Sequence, residues 1–206
     1  MRIASGPPSG CHGEGTAPVA RLGARVGEPQ TLLGLAEGTV ALVGHDPDWA
    51  RAYREEERRI RGALGGLALD IQHCGSTAVP GIRAKPILDV LVGVERLARG
   101  HECIGPLRGI GYDHLGDEVV PDEHFFAKGT PRTHHLHFVE WRGAGWRDKI
   151  RFRDRLLSDP RLAREYEAMK VALAGRFPKD RASYTKAKAA FIAGVVADGP
   201  LPDGSP

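Results

Sequence analysis

Nothing in this chain is apolar for long enough to cross a bilayer, which takes about 20 such residues, and the N-terminus lacks the apolar run of a secretory signal. No membrane partner is therefore expected. Cysteine is scarce. Cys11, Cys74 and Cys103 have neither metal-ligand spacing nor the even count of a disulfide framework, so a reducing compartment, the cytoplasm, is the expected location. Charge of one sign is lacking as well. A formal net charge of +3 is too mild to argue for nucleic acid. What is present is the composition of a folded chain, with 41% hydrophobic and 27% charged residues. Its 206 residues suffice for one domain with a sizeable core.

Residues 1–38 are rich in Gly, Pro and Ser and are expected to be a flexible N-terminal arm, with short structure near Thr31–Leu35. A folded domain is expected over 39–198, and a disordered tail over 199–206. Val40–Gly44 has the look of a short strand. Asp46-Pro47 predicts a helix N-cap with proline at the first helical position. Trp49, Tyr53, Ile60 and Leu64 share one face of that helix, and Gly65-Gly66 ends it. Strands are predicted over Leu67–Cys74, Ile87–Val94, Val119–Lys128 and His135–Trp141. A helix is predicted over Glu95–Gly109, and three more over Trp146–Leu157, Pro160–Phe177 and Arg181–Val196. The order suits an α+β domain, a mixed sheet flanked by helices with a helical C-terminal part.

The chain is organised around Gln72–Val92, a strand, a small-residue loop, a basic turn and a second strand. Asp89 interrupts the apolar run of that second strand, and an acid there is costly to bury unless paired, protonated or metal-bound. Backbone N–H groups at Gly75 can converge on phosphate oxygens, and Ser76 and Thr77 add hydroxyl donors. Lys85 and Arg83 can neutralise phosphate charge, and Asp89 can hold a divalent cation. The plainer alternatives are a tight turn at the loop and a structural acid paired with Lys85, Arg83 or a histidine.

His135-x-His137 is a second constellation. Residues two apart on a strand share a face, so both imidazoles can join Asp89, with His73 a further ligand. That donor set suits Zn²⁺, Mn²⁺ or Fe²⁺ better than Mg²⁺. Hydrogen bonding to backbone or acids is the alternative role for each. Glu123 and His124 are candidates near the rim. Between Arg142 and Lys188 there are fourteen Lys and Arg against six Asp and Glu. These are either solvated helix faces or a phosphate-binding wall in which Arg132, Lys170, Lys186 or Lys188 faces the ligand. No stacking pattern or recognition helix argues for a polynucleotide, and nothing fixes the oligomeric state.

Gly75-Ser76-Thr77-Ala78-Val79-Pro80-Gly81, followed by Ala84-Lys85-Pro86-Ile87-Leu88-Asp89, resembles the signature of the GrpB family. The resemblance continues through Gly111-Tyr112, Phe125–Gly129, His135–Val139, Phe152-Arg153-Asp154, Tyr166, Lys170 and Tyr184…Lys188. It implies the nucleotidyltransferase superfamily with its polymerase-beta-like fold, some of whose GrpB members are fused to dephospho-CoA kinase. The implied activity is metal-dependent transfer from a nucleoside triphosphate to a small acceptor. Asp89 and His137 would be catalytic, Mg²⁺ or Mn²⁺ the cofactor, and His137 or Glu140 would stand in the place of a third carboxylate. Gly75, Ser76, Thr77, Lys85, Arg132 and Lys170 would hold the phosphates. Active members of that superfamily carry acid-x-acid on the strand, and here the second position is Leu91. The alternatives are a non-catalytic module that binds a nucleotide or coenzyme-A-type phosphate through a degenerate site, or a biosynthetic enzyme rebuilt around a His/Asp metal centre.

Overall fold

The computed structural model describes residues 33–116 and 122–197. Five strands form one mixed sheet: β1 (Asp70–Cys74), β2 (Leu88–Val94), β3 (Tyr112–Gly116), β4 (His124–Lys128) and β5 (His134–Glu140). Five helices accompany it: α1 (Trp49–Leu64), α2 (Gly100–Gly109), α3 (Ala144–Ser158), α4 (Pro160–Arg176) and α5 (Arg181–Ala197). The strand order is β1-β2-β5-β4-β3, with β2 and β5 parallel and the other pairs antiparallel. The α+β class expected from the sequence is thus observed. Among the described residues no helix is long and apolar enough to cross a membrane.

The β-branched and leucine residues of β2 suit an interior strand, paired on both sides and buried on both faces. Val90, Val92 and Val94 face one side, where they meet Ile60 and Leu64 of α1, Leu107 of α2, and Leu136 and Phe138 of β5 in the main core. Leu91 faces the other side and packs with Cys74, Val139 and Trp146. A third cluster joins the loop after β1 to the C-terminal helices through Val79, Ile82, Phe152, Leu156, Tyr166 and Val195. α1 is held by its apolar stripe and by i,i+4 pairs such as Arg51–Glu55 at 3.1 Å and Arg61–Glu57 at 3.0 Å. Beneath it lies a buried ion pair, Lys128 Nζ to Glu56 Oε1 at 2.7 Å. The stem of Lys128 carries its ammonium over the Tyr112 ring, 5.3 Å from the centroid.

Several element boundaries differ from expectation. α1 begins at Trp49 rather than Pro47, because the Asp46 carboxylate accepts the Asp48 N–H at 2.9 Å in a turn that precedes the helix. The expected strand at Val40–Gly44 is only a single bridge, Val43 to Ala84. β1 starts late because Gly65–Leu67 continues α1 as a 3₁₀ turn. β3 lies where only a loop exit was expected, since Asp113 and His114 break the apolar pattern on an edge strand. Val119, the expected start of β4, lies outside the described residues.

The last part of the expected arm is built into the fold. Leu33 and Leu35 are buried, the Gly34 N–H donates to Pro86 O, and Leu35 pairs with Arg132. Val40 N–H then donates to Pro178 O at 2.8 Å. The rest of the arm and the expected C-terminal tail lie outside the described residues.

Candidate functional site

β1 runs antiparallel to β2 and delivers the chain into the small-residue loop beside Asp89. Cys74 pairs with Asp89 on one side, and His135 pairs with it on the other. Gly75 has φ 66, and a Cβ built there would lie 2.4 Å from Asp89 Oδ2. Only glycine allows the backbone this close to the carboxylate. The Gly-Ser loop and the strand acid, separated by a dozen residues in sequence, are therefore in contact.

The imidazoles of β5 surround the other oxygen of Asp89. His135 Nδ1 lies 3.0 Å from Asp89 Oδ1, and His137 Nε2 lies 3.7 Å from the same atom. His137 Nδ1 is 2.7 Å from Glu123 Oε1, and Lys149 Nζ is 2.7 Å from Glu123 Oε2. The result is a continuous chain: Lys149, Glu123, His137, Asp89, His135. The Phe125 ring lies 5.2 Å from each imidazole and walls them off from the sheet edge.

Burial and pairing act in opposite directions on these groups. Burial pushes the Asp89 carboxyl up, but the His135 hydrogen bond and the nearby His137 outweigh it and hold the acid well below its usual range. The same contest leaves Glu123 lowered, through His137 and Lys149. His135 is lowered because burial outweighs its bond to Asp89. His137 is raised because, against burial, it has carboxylates at both nitrogens.

Two predicted ligands lie elsewhere. His73 points to the opposite face of the sheet, stacked on Tyr53 at 4.7 Å with Nε2 3.0 Å from Thr77 Oγ1, and burial lowers it to about 4. His124 is buried against His101 and His114 rather than at a rim, and its Nε2 lies 3.0 Å from Leu97 O. Glu140 is exposed and accepts the Leu97 N–H. Glu123, expected near the rim, is 1% exposed and central.

The donor set does not fit the expected metal. Among the described residues no group of three or more His, Cys, Asp or Glu side chains is arranged to hold an ion. Both Nδ1 atoms face carboxylates, one Asp89 oxygen serves both imidazoles, and Leu91 is fully buried among apolar neighbours where a second acid would be needed. Neither an Mg²⁺ or Mn²⁺ pair nor a histidine-rich Zn²⁺ or Fe²⁺ centre is preformed.

A group of cations near Asp89 comes from the loop and the last two helices. Lys85 and Lys188 lie over the same Tyr184 ring, 5.8 and 4.7 Å from its centroid. Lys170 is 1% exposed, lies 4.7 Å from the Tyr166 centroid and donates to Arg83 O. Tyr166 packs in one apolar cluster with Val79 and Ile82, which fixes the small-residue loop to α4. Thr77 is buried, and its hydroxyl is engaged with His73 rather than free for a phosphate. Burial lowers Lys85 to about 8 and Lys170 to about 7, and lowers Lys188 too. The field of Asp89 reaches all three and Arg181 as well. Arg181 is lowered by burial and then by repulsion from Arg132, and its Nε and Nη2 are buried without a hydrogen-bond partner. Among the described residues none of Lys85, Lys170, Lys188, Arg132 or Arg181 makes an ion pair. Arg83 is exposed and pairs with Glu167, and Lys186 is exposed, so neither joins the wall.

Lys149, Arg181, Tyr166 and Tyr184 were not singled out for the cleft from the sequence. A helical signal existed: Arg181, Tyr184 and Lys188 fall at i, i+3 and i+7, and Tyr166 and Lys170 at i and i+4.

The profile of the family described as GrpB protein matches residues 39–198. The "Glutamate-rich protein GrpB" of Alkalihalophilus pseudofirmus is 40% identical over 78% of this chain and 96% of its own length. A "Dephospho-CoA kinase" of Mycolicibacterium paratuberculosis is 29% identical over 75% of this chain, which covers 44% of that protein. The crystal structure of "conserved protein GrpB" from Enterococcus faecalis superposes with a TM-score of 0.70 at 30% identity, covering 76% of this chain and 94% of that one.

Proposed function

The chain belongs to the GrpB family, and on that footing we propose that it binds a phosphate-bearing small molecule of the nucleotide or coenzyme-A class in the cleft between Asp89 and helices α4 and α5. The observation that carries this reading is the Arg181 guanidinium, with two buried nitrogens unmatched, beside lysines that burial has made less basic. Keeping several cations close together is costly when the nearby carboxylates, Asp89, Glu37 and Glu167, act on them without ion-pair contact. An anionic ligand offsets that cost, and a bidentate Arg–phosphate contact suits the geometry of both groups. The similarity to a protein named dephospho-CoA kinase supports the same ligand class. Metal-dependent nucleotidyl transfer, which the resemblance implied, draws no support from the donor set around Asp89, and no step is routed through a metal.

Calorimetry in EDTA with AMP and with coenzyme A tests the reading. Arg181→Met is expected to weaken AMP at least about tenfold, the worth of a lost charge-assisted hydrogen bond at about 1.5–3 kcal/mol. Failure of both ligands to bind sinks the proposal.

The lysines add a pH dependence with a definite sign. A lysine is charged below its pKa, so a lowered value means its charge is lost earlier as pH rises. AMP is fully ionised above about pH 7. Its affinity should therefore fall between pH 7.5 and 9.5, where Lys85, held at about 8, discharges. An affinity flat across that window would show that Lys85 does not meet the phosphate.

A further inference from the structure

We propose that β5 carries a metal-free acid–base pair, His135 as general base and His137 as general acid, acting at a phosphate ester or anhydride held by the cleft's cations. The proposal rests on the ligand reading above and adds a reaction to it. Its foundation is the asymmetry between two imidazoles that share one strand face. His135 meets one carboxylate, through Nδ1, 3.0 Å from Asp89 Oδ1. That contact fixes the tautomer with the proton on Nδ1, which leaves a lone pair on Nε2. No hydrogen bond engages His135 Nε2 among the described residues. His137 is flanked by two carboxylates, Glu123 at Nδ1 and Asp89 at Nε2, so its protonated form is the favoured one.

Titratable partners whose surroundings push them apart mark the division of labour between acid and base. His135 is surrounded by Asp89, Lys85 and His137, and burial tips it towards the neutral form. His137 is surrounded by Asp89, Glu123 and Lys149, and the two acids tip it towards the charged form. Asp89 and Glu123 are positioning residues: each holds an imidazole in one tautomer and orientation.

The step balances without an added reactant beyond water or a ligand hydroxyl. Its oxygen attacks phosphorus while its proton passes to His135 Nε2. The phosphorus–oxygen bond to the leaving group breaks, and that oxygen takes the proton from His137 Nε2. Lys85, Lys170, Lys188 and Arg181 hold the charge of the non-bridging oxygens. The electrostatic role usually given to a divalent ion falls to these side chains.

Full-length protein is assayed in EDTA with ATP, followed by ³¹P NMR, and with bis(4-nitrophenyl) phosphate, followed by nitrophenolate release. Cleavage of at least one probe is expected, and His135→Ala and His137→Ala should each reduce it by about 10²-fold or more. The rate should be bell-shaped in pH. Its acid limb lies below the ordinary histidine range and its alkaline limb above it. Glu123→Gln should move the alkaline limb down while the protein still melts cooperatively, a shift that a purely structural role would not produce. Turnover of neither probe in EDTA, turnover that appears only with Mg²⁺ or Mn²⁺, or an unchanged rate in His135→Ala overturns the acid–base pair. AMP binding measured on the same preparations separates the failures. Binding without turnover removes the reaction and keeps the ligand site, whereas absence of binding removes the site itself.

Discussion

Gly75→Ala is expected to lower the unfolding free energy by about 2–6 kcal/mol and to abolish AMP binding. The magnitude combines a non-glycine residue forced to positive φ, about 1–3 kcal/mol, with overpacking of about the same size. The new methyl would stand 2.4 Å from Asp89 Oδ2 and 3.0 Å from its Cβ. Neither the strand nor the loop can give way easily. β2 is paired on both sides, and the loop is anchored to the C-terminal helices through Val79 and Ile82. Relief would come from withdrawing the loop, which takes Ser76 and the backbone N–H groups away from the anion. Urea midpoints and calorimetry read the two effects. In an Asp89→Ser background the same alanine should cost less, because the opposing carboxylate oxygen is gone, and that non-additivity assigns the clash to this pair. Equal costs in both backgrounds would refute the contact.

Glu56→Ala is expected to destabilise the protein by about 3–5 kcal/mol, the usual cost of leaving one member of a buried ion pair alone. Glu56 is 3% exposed, and its carboxylate meets Lys128 Nζ at 2.7 Å. The stranded ammonium would retain only the Tyr112 ring as company. Glu56→Leu with Lys128→Met should recover most of the loss, since an apolar pair of similar volume asks for no partner. This pair lies on the α1 side of the sheet, away from Asp89. AMP affinity should therefore persist in the variant under conditions where it remains folded. A midpoint within experimental error of the parent protein would contradict the buried pairing.

The motifs were legible because they are local. Gly75, Ser76 and Asp89 occupy one strand–loop–strand unit, and period two placed His135 and His137 on one face with Asp89. The same parity placed His73 on the wrong face. It pairs with Val90 and not with Asp89, so the residue count that united the two imidazoles of β5 excluded it. Glu123 was misjudged because its position depends on β4 lying beside β5, a pairing that one sequence does not announce. Lys149 and Arg181 were hidden for a related reason. A basic residue on a polar helix looks solvated until the helix is docked, and only docking brings Lys149 to Glu123 or Arg181 to the cleft. β3 was missed because an edge strand carrying Asp113 and His114 lacks the apolar run that revealed β2.

The proposed site takes Asp89, His135 and His137 from the strands, but Lys170, Arg181 and Lys188 from α4 and α5, which follow them in sequence. On the ribosome, a nascent chain released only as far as Glu140 would own the sheet strands, the Asp89–His135 contact, Lys85 and Arg132, but none of the cations of α4 and α5. Assembly of the proposed pocket then waits for the emergence of Lys188. A stop codon ahead of α5 would yield a product that lacks both Arg181 and the Tyr184 ring on which Lys85 rests.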